Sequence, residues 1–177
     1  EFIQKTTLGA AGLTLGAKSY SRIKGANDRI RVGIIGYSDR FRGALSPSFL
    51  GLSKELNFEF TALSDIWSKR REEADTFYKA KGINLRLARN NDELFSGKDT
   101  DAVIISTADF QHALHCAEAV GAGRDAYVEK PFAETMADAR VALRAVQKAG
   151  KIVQIGSQRR SAPNYIAANE YINSGKF

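Results

Sequence analysis

Short apolar segments alternate with helical segments along most of this sequence, and this alternation limits the possible folds more than any other feature. Six apolar segments are predicted to be strands: 31–36, 58–63, 85–88, 101–106, 125–129 and 152–155. Their apolar runs are continuous and do not follow a period of two. Such strands, alternating with helices, are typical of a parallel sheet that helices cover on both faces. The sequence therefore predicts an α/β fold with a doubly wound parallel sheet of the Rossmann type.

The predicted helices follow these strands, and residue types that favour helix ends mark several of their termini. Asn90 with Glu93, and Thr135 with Asp138, have the spacing of helix N-termini, and Gly150 is a helix stop. The helix that starts at Thr135 carries four apolar residues on one face: Met136, Ala139, Leu143 and Val146. The predicted helices cover 40–52, 67–81, 90–97, 109–121, 135–150 and 161–174.

The composition fits one soluble globular domain and argues against a nucleic-acid partner. The chain has 177 residues, of which 44% are hydrophobic and 26% are charged. The net charge is +6, but basic residues are mixed with acidic ones, as in the segment 69–73. This mixture predicts a solvated surface and no nucleic-acid binding. Cys116 is the only cysteine, which excludes an intrachain disulfide, and it is predicted to be a buried apolar residue. The sequence predicts no metal site.

The first 28 residues differ from the rest and predict an export signal with a linker. Residues 8–17 form an apolar run of small residues that is too short to span a bilayer, and residues 1–5 resemble the part of a twin-arginine signal that follows the arginines. The sequence is thus expected to begin within the signal. The mature protein is predicted to be periplasmic or exported, without a membrane segment. The alternative is an ordinary amphipathic helix, with a cytoplasmic location.

The turn after the first strand is a candidate dinucleotide site with an incomplete glycine pattern. A G-x-G-x-x-G turn would place glycines at the positions that Gly36, Ser38 and Phe41 occupy here. Ser38 is small and carries a hydroxyl that can donate to a phosphate, and Arg40 can offset phosphate charge. Phe41 is too large for close helix–strand packing, unless the helix begins near residue 43. The turn predicts cofactor contacts from Gly36, Tyr37, Ser38 and Arg40, and a plain strand–turn–helix is the alternative.

Polar residues also follow the second and fourth strands. Asp65 can accept hydrogen bonds from the adenosine ribose hydroxyls and would repel a 2′-phosphate, which favours NAD. Arg70 lies nearby and keeps NADP open, while the alternative role for Asp65 is to cap the next helix. Ser106 and Thr107 are small polar residues that can line the crevice. His112 can either face the cofactor or form a hydrogen bond within its helix.

Glu129, Lys130 and Pro131 follow the fifth strand and form the most specific motif of the chain. Pro131 fixes the turn and is a candidate for a cis peptide bond. A lysine at this edge of the sheet can hold a substrate hydroxyl and help to move its proton, so Lys130 is the candidate catalytic residue. The alternative is a surface salt bridge.

Residues 29–177 resemble the Gfo/Idh/MocA family of sugar-type oxidoreductases. The resemblance depends on Glu129-Lys130-Pro131, and on Thr107 with His112, which match a T-P-x-x-x-H turn except that Ala108 replaces the proline. The stretch 156–160 resembles the crossover into a second domain. The resemblance implies that Lys130 is the active-site lysine. It also implies that the Gly36 turn, Asp65, Thr107, His112 and Glu129 contribute to the cofactor crevice, and the family pattern is not met at Ser38 and Phe41.

The family resemblance implies an NAD(P)-dependent oxidoreductase that acts on a sugar or cyclitol-like carbinol, with NAD, or alternatively NADP, as cofactor. Such proteins carry a C-terminal α+β domain that supplies the substrate pocket and the oligomer interface. The sequence is expected to stop before that domain, with residues 1–28 as signal and linker, 29–156 as the dinucleotide-binding domain and 157–177 as the crossover. A small-molecule substrate and a homo-oligomer are implied. The alternatives are an NAD-dependent glycoside hydrolase and a non-catalytic nucleotide-binding module.

Overall fold

Six parallel strands form one sheet at the centre of the fold. The computed structural model describes residues 29–176. The strand order is β3-β2-β1-β4-β5-β6, and every neighbouring pair is parallel. This order is the one expected of a doubly wound dinucleotide fold, so the predicted fold class is confirmed. The strands are β1 (Ile30–Ile35), β2 (Phe58–Ser64), β3 (Arg86–Ala88), β4 (Ala102–Ile105), β5 (Asp125–Val128) and β6 (Val153–Ile155).

The helices follow the strands as predicted, and two of their predicted N-terminal caps form. The Asn90 side chain accepts a hydrogen bond from the Glu93 amide at 2.9 Å, and the Thr135 hydroxyl accepts one from the Asp138 amide at 3.1 Å. The helices are α1 (Ser46–Leu52), α2 (Ser68–Lys79), α3 (Asn91–Ser96), α4 (His112–Gly121), α5 (Met136–Ala149) and α6 (Pro163–Asn173). A π-helical turn over Phe41–Leu45 precedes α1, and 3₁₀ turns over Asp109–Gln111 and Gln158–Ser161 precede α4 and α6.

Two clusters of buried side chains lie on opposite faces of the sheet. Successive strand residues point to opposite faces, so Ile34 belongs to one cluster and Ile35 to the other. The first cluster is rich in aromatic residues from β2, from α2 and from the segment before α1. The second is aliphatic and includes Cys116 of α4, which is buried as predicted. These cores leave the carboxyl ends of the strands free to form a site.

The side chain of Phe41 packs where the sequence pattern predicts a steric conflict. It is fully buried, and its ring centroid lies 5.9 Å from that of Tyr37 and 6.2 Å from that of Phe60. The helical segment starts at Asp39, continues into the π turn at Phe41 and does not start near residue 43. Because a π turn is wider than an α turn, it gives the helix start a different path beside the strand. The expected conflict between Phe41 and close packing is therefore wrong.

The predicted apolar face of α5 is only partly buried. Met136 and Leu143 are 70% and 54% exposed, whereas Ala142 is fully buried. Of the predicted set, Val146 packs against the second core cluster. α5 packs against α4, and the larger Met136 and Leu143 side chains lie outside that contact.

The predicted export signal and linker lie outside the described residues, so they stay predictions. Within residues 29–176, no helix is long and apolar enough to cross a membrane. The same residues contain no group of three or more His, Cys, Asp or Glu side chains that could hold a metal ion.

Candidate functional site

The carboxyl ends of β1, β2 and β4 and the loop that follows β3 surround an open crevice of about 670 Å³. Parallel sheets bind ligands at this edge. Six of the predicted site residues line the crevice: Gly36, Tyr37, Ser38, Asp65, Arg70 and Thr107. The other predicted site residues lie beneath it or beside it, at the end of β5.

Gly36 brings the first turn into contact with the end of β4. Its φ is +86°, a conformation that favours glycine, and its amide donates to the Ser64 carbonyl at 2.9 Å. A Cβ at this position would lie 2.6 Å from Cγ2 of Thr107. The first glycine of the turn therefore serves its expected purpose, which is a close approach between two backbone segments.

Hydroxyl groups hold the turn at the position where a second glycine is missing. The Ser38 hydroxyl donates to Ser106 Oγ at 3.4 Å and accepts from the Phe41 amide at 3.2 Å. The buried Ser106 hydroxyl in turn donates to the Gly36 carbonyl at 3.0 Å. Ser38 and Ser106 thus connect the turn to the end of β4, and Ser106 lies beneath the crevice.

Asp65 connects the turn after β1 to the start of α2. One carboxylate oxygen accepts from the Tyr37 amide at 2.8 Å, and the other accepts from the Trp67 amide at 2.9 Å. Trp67 occupies the N-cap position of α2, and its side chain makes no capping bond. Asp65 therefore supports the helix start from outside the helix, and its carboxylate also faces the crevice.

The arginines near the crevice share two carboxylates. Arg70 pairs with Asp39 at 2.9 Å and with Glu73 at 3.1 Å, and Arg42 pairs with the same two residues. Hydrogen bonds from Arg42 and Arg70 lower the pKa of the exposed Asp39 carboxyl. The Arg70 guanidinium also lies 5.6 Å from the centre of the Trp67 ring. Arg70 is thus a partly neutralised cation at the crevice wall.

Arg40 and Glu129 form an ion pair at the end of β5. Arg40 Nη2 lies 3.2 Å from Glu129 Oε1, and the Glu129 side chain is only 3% exposed. The Tyr127 hydroxyl lies 3.5 Å from the same carboxylate oxygen. Both residues were predicted to contact a cofactor. Neither lines the crevice, and each partly neutralises the charge of the other.

Lys130 follows this pair and is exposed, and the Lys130–Pro131 peptide bond is cis. Within residues 29–176, Lys130 forms no ion pair, so the alternative of a surface salt bridge is not observed there.

His112 has a different environment from either predicted one. Its side chain is buried, with Nδ1 2.7 Å from the Pro131 carbonyl oxygen and Nε2 3.2 Å from the Thr107 carbonyl oxygen. It neither lines the crevice nor forms a hydrogen bond within α4. α4 directs this side chain under the sheet edge, toward the loop after β5.

His115 lines the crevice, although the sequence patterns did not single it out. Its Nδ1 lies 3.2 Å from the Thr107 hydroxyl, and burial lowers its pKa below the usual histidine value. Gln111, His115 and Glu118 are spaced by one helical turn each and all line the crevice. That spacing is the sequence signal that identifies this face of α4.

Residues of the second and third crossovers also contribute to the crevice without having been predicted. Ile66 and Trp67 follow Asp65, and Asn90, Asn91 and Asp92 lie at the start of α3. The Asn91 amide donates to Glu118 at 2.8 Å and accepts from the Ser64 hydroxyl at 3.0 Å. Residues in loops between elements carry no periodic pattern, so only their position in the fold identifies them.

A family model described as "Oxidoreductase family, NAD-binding Rossmann fold", GFO_IDH_MocA, matches residues 30–157. The inositol 2-dehydrogenase of Salmonella typhimurium is 33% identical over 148 residues, which cover 83% of this chain and 41% of that protein. A 1-carboxy-3-chloro-3,4-dihydroxycyclohexa-1,5-diene dehydrogenase of Comamonas testosteroni is 28% identical, over 84% of this chain and 35% of its own length. The chain therefore spans less than half the length of these curated relatives.

Solved structures share the fold at lower identity. The WlbA dehydrogenase of Bordetella pertussis, in complex with NADH and UDP-GlcNAcA, superposes with a TM-score of 0.74 at 20% identity, over 84% of this chain and 43% of its own. An oxidoreductase of Thermotoga maritima superposes with a TM-score of 0.75 at 24% identity, over 84% of this chain and 44% of its own. At these identities the likeness establishes the fold.

Proposed function

This chain belongs to the Gfo/Idh/MocA oxidoreductase family with its NAD-binding Rossmann fold, and from that membership we propose that it binds NAD for a dehydrogenase acting on a sugar or cyclitol carbinol. The observation that carries the proposal is the crevice at the carboxyl edge of the sheet, with Gly36 at its floor and Asp65 at its wall. The named substrates of the relatives, which include inositol, support the substrate class.

The turn after β1 fits the pyrophosphate of a dinucleotide. Gly36 has no Cβ, and one would collide with Thr107, so glycine lets the turn lie close against the end of β4. The helical segment that starts just after the turn directs its N-terminal partial positive charge toward the crevice. The hydrogen bonds of Ser38 to Ser106 and to the Phe41 amide keep the turn in place without a second glycine.

The wall at Asp65 fits the adenosine ribose of NAD better than that of NADP. Each Asp65 oxygen accepts one backbone amide, and a carboxylate retains further lone pairs for ribose hydroxyls. A 2′-phosphate at this place would face the Asp65 carboxylate. Of the two arginines nearby, Arg70 is already paired with Asp39 and Glu73, and Arg71 donates to the Asp65 carbonyl oxygen at 2.6 Å. We therefore assign NAD as the preferred cofactor of the chain.

Lys130 is the residue that we assign to the reacting substrate. Its ammonium group is exposed at the end of β5, without an ionic partner among the described residues, and it can hold a carbinol oxygen and shuttle its proton. Bound NAD supplies the hydride acceptor for the carbinol carbon.

The cofactor assignment is tested by titrating the full-length protein with NADH and NADPH and following nicotinamide fluorescence. We expect tight binding of NADH and at least about tenfold weaker binding of NADPH, a difference of about 1.4 kcal/mol. Asp65→Asn removes the negative charge but keeps one side-chain oxygen that can accept from a backbone amide. We expect it to remove most of the preference for NADH over NADPH. Glu55→Gln, an exposed carboxylate away from the crevice, is the matched control. Absence of NADH binding to the wild-type protein would refute the proposed function.

The dehydrogenase assignment is tested on a panel of inositols and sugars, by the absorbance of the reduced nicotinamide. We expect Lys130→Met to lower kcat strongly while the NADH affinity stays close to that of the wild type. Equal kcat values for the wild type and Lys130→Met would show that Lys130 has no catalytic role. If no reduced nicotinamide accumulates while glycosides are cleaved, the hydrolase alternative replaces the dehydrogenase.

A further inference from the structure

The backbone on the N-terminal side of Lys130 is held by the sheet and by an ion pair. The Glu129 amide donates to the Ile105 carbonyl at 2.9 Å, which extends the pairing between β4 and β5 by one residue. The buried Glu129 carboxylate pairs with Arg40, which lies at the start of the first helical segment. Glu129 is therefore tied to two other parts of the fold.

The backbone on the C-terminal side of Lys130 is held by one imidazole. His112 Nδ1 lies 2.7 Å from the carbonyl oxygen of Pro131, and its Nε2 lies 3.2 Å from the carbonyl oxygen of Thr107. The His112 side chain is 1% exposed, so water does not compete for these contacts. The His112 side chain thus contacts both Pro131, which follows Lys130, and Thr107, whose methyl group lies against Gly36.

The two carbonyl oxygens give the imidazole a donor role. Both atoms next to its nitrogens can only accept, so a ring N–H supplies each hydrogen bond that forms. Nδ1 makes the shorter of the two contacts, to the Pro131 carbonyl oxygen. A buried carbonyl that loses its donor is costly, so the loop after β5 would shift to find another partner if His112 were removed.

We propose that His112 is a positioning residue that sets where Lys130 stands relative to the Gly36–Thr107 floor of the crevice. This inference depends on the proposed function, in which Lys130 holds the substrate hydroxyl beside the dinucleotide. His112 itself contacts neither the substrate nor the dinucleotide, because it is buried below the crevice. Its effect on the reaction is exerted through the Pro131 carbonyl, and a displacement of about 1 Å at a reacting group can cost about 100-fold in rate.

The test compares three variants of the full-length protein: His112→Asn, His112→Gln and His112→Leu. The amide nitrogen of Asn takes the place of Nδ1, that of Gln takes the place of Nε2, and Leu has no donor. We expect His112→Leu to lower kcat about 10- to 100-fold and to weaken NADH binding by less, because the contact on the crevice side, to the Thr107 carbonyl oxygen, is the longer one. His112→Asn should recover most of the loss, and His112→Gln should recover little. Leu114→Ala, at an exposed position of α4, controls for helix stability.

A second measurement does not depend on turnover. Reductive methylation with ¹³C-formaldehyde labels the lysines for NMR, and the signal missing from Lys130→Arg identifies Lys130. We expect this signal to move in His112→Leu and to return toward its wild-type position in His112→Asn. If the signal stays in place in all three variants, or if Gln restores it as well as Asn does, the positioning role is wrong.

The two measurements separate this inference from the proposed function. If Lys130→Met retains full activity while His112→Leu moves the Lys130 signal, the catalytic role of the lysine fails and the positioning role holds. If His112→Leu does not fold, the comparison of the Asn and Gln variants still decides the outcome, because both keep a polar side chain of similar size.

Discussion

Single side chains at the crevice are constrained by contacts with distant segments. Gly36 lies against Thr107, and the Ser106 hydroxyl reaches back to the Gly36 carbonyl across 70 positions of sequence. Asp65 is bonded to the backbone of the first turn, so the wall and the floor of the crevice are one hydrogen-bonded unit. A change at one of these residues is therefore expected to affect folding and cofactor binding together.

Gly36→Ala tests this coupling. The substitution forces a Cβ into the left-handed region and to 2.6 Å from the Thr107 methyl, so we expect a loss of about 1–3 kcal/mol in the free energy of unfolding. NADH affinity should fall as well. Urea denaturation and fluorescence titration measure the two effects.

Gly43→Ala is the matched control, because a Cβ at that helical position meets no atom within 4 Å. It should be neutral or stabilising by about 0.5–1 kcal/mol. Equal stability of the two alanine variants would show that the first turn tolerates a side chain.

Helix termini explain why the elements begin where the sequence indicates. The Thr135 hydroxyl accepts from the Asp138 amide and donates to its carboxylate at 2.6 Å, and Gly150 adopts a left-handed φ of +61° at the other end of α5. These interactions are local and depend on residues three or four positions apart. The interior of α5 is different, because Ala142 is buried while the larger Met136 and Leu143 stay exposed.

Thr135→Ala removes the cap of α5 and should cost about 1 kcal/mol of unfolding free energy. Thr135→Ser keeps the hydroxyl and should retain most of the unfolding free energy that the cap contributes. Because Thr135 is exposed and lies outside the crevice, NADH affinity should be the same in both variants. A serine variant as unstable as the alanine variant would argue against the cap.

The whole domain encloses Cys116 in the second core cluster, which makes this residue a probe of global opening. It has no exposed surface, and burial raises its pKa to about 11. The burial keeps reagents away from the thiol, and the raised pKa keeps the reactive thiolate fraction small. Both protect Cys116 from modification while the sheet and its helices stay together.

We expect a thiol reagent to modify Cys116 only through opening of the domain. At an NAD concentration about 100 times the Kd, ligand linkage stabilises the fold by about 2.7 kcal/mol and should slow the modification about 100-fold. Mass spectrometry of the peptide containing Cys116 follows the reaction over time. Rapid modification under native conditions, unaffected by NAD, would contradict the burial of this core.

The sequence by itself determined the order of strands and helices, the helix caps and the role of Gly36 as a turn residue. These features depend on apolar runs and on residues within one helical turn of each other, so local physical chemistry is enough. The same is true of Asp65, whose place at the end of a strand puts it at the binding edge of any parallel sheet.

Only the tertiary structure decided which polar side chains meet. Arg40 and Glu129 are 89 positions apart, and no local pattern predicts that they pair instead of facing a ligand. His112 and His115 lie on one helix, yet one is buried against the Pro131 loop and the other lines the crevice, because the packing of α4 sets the direction of each. Phe41 and Ala142 show the same dependence, since burial is decided by the shape of the surface that each helix meets.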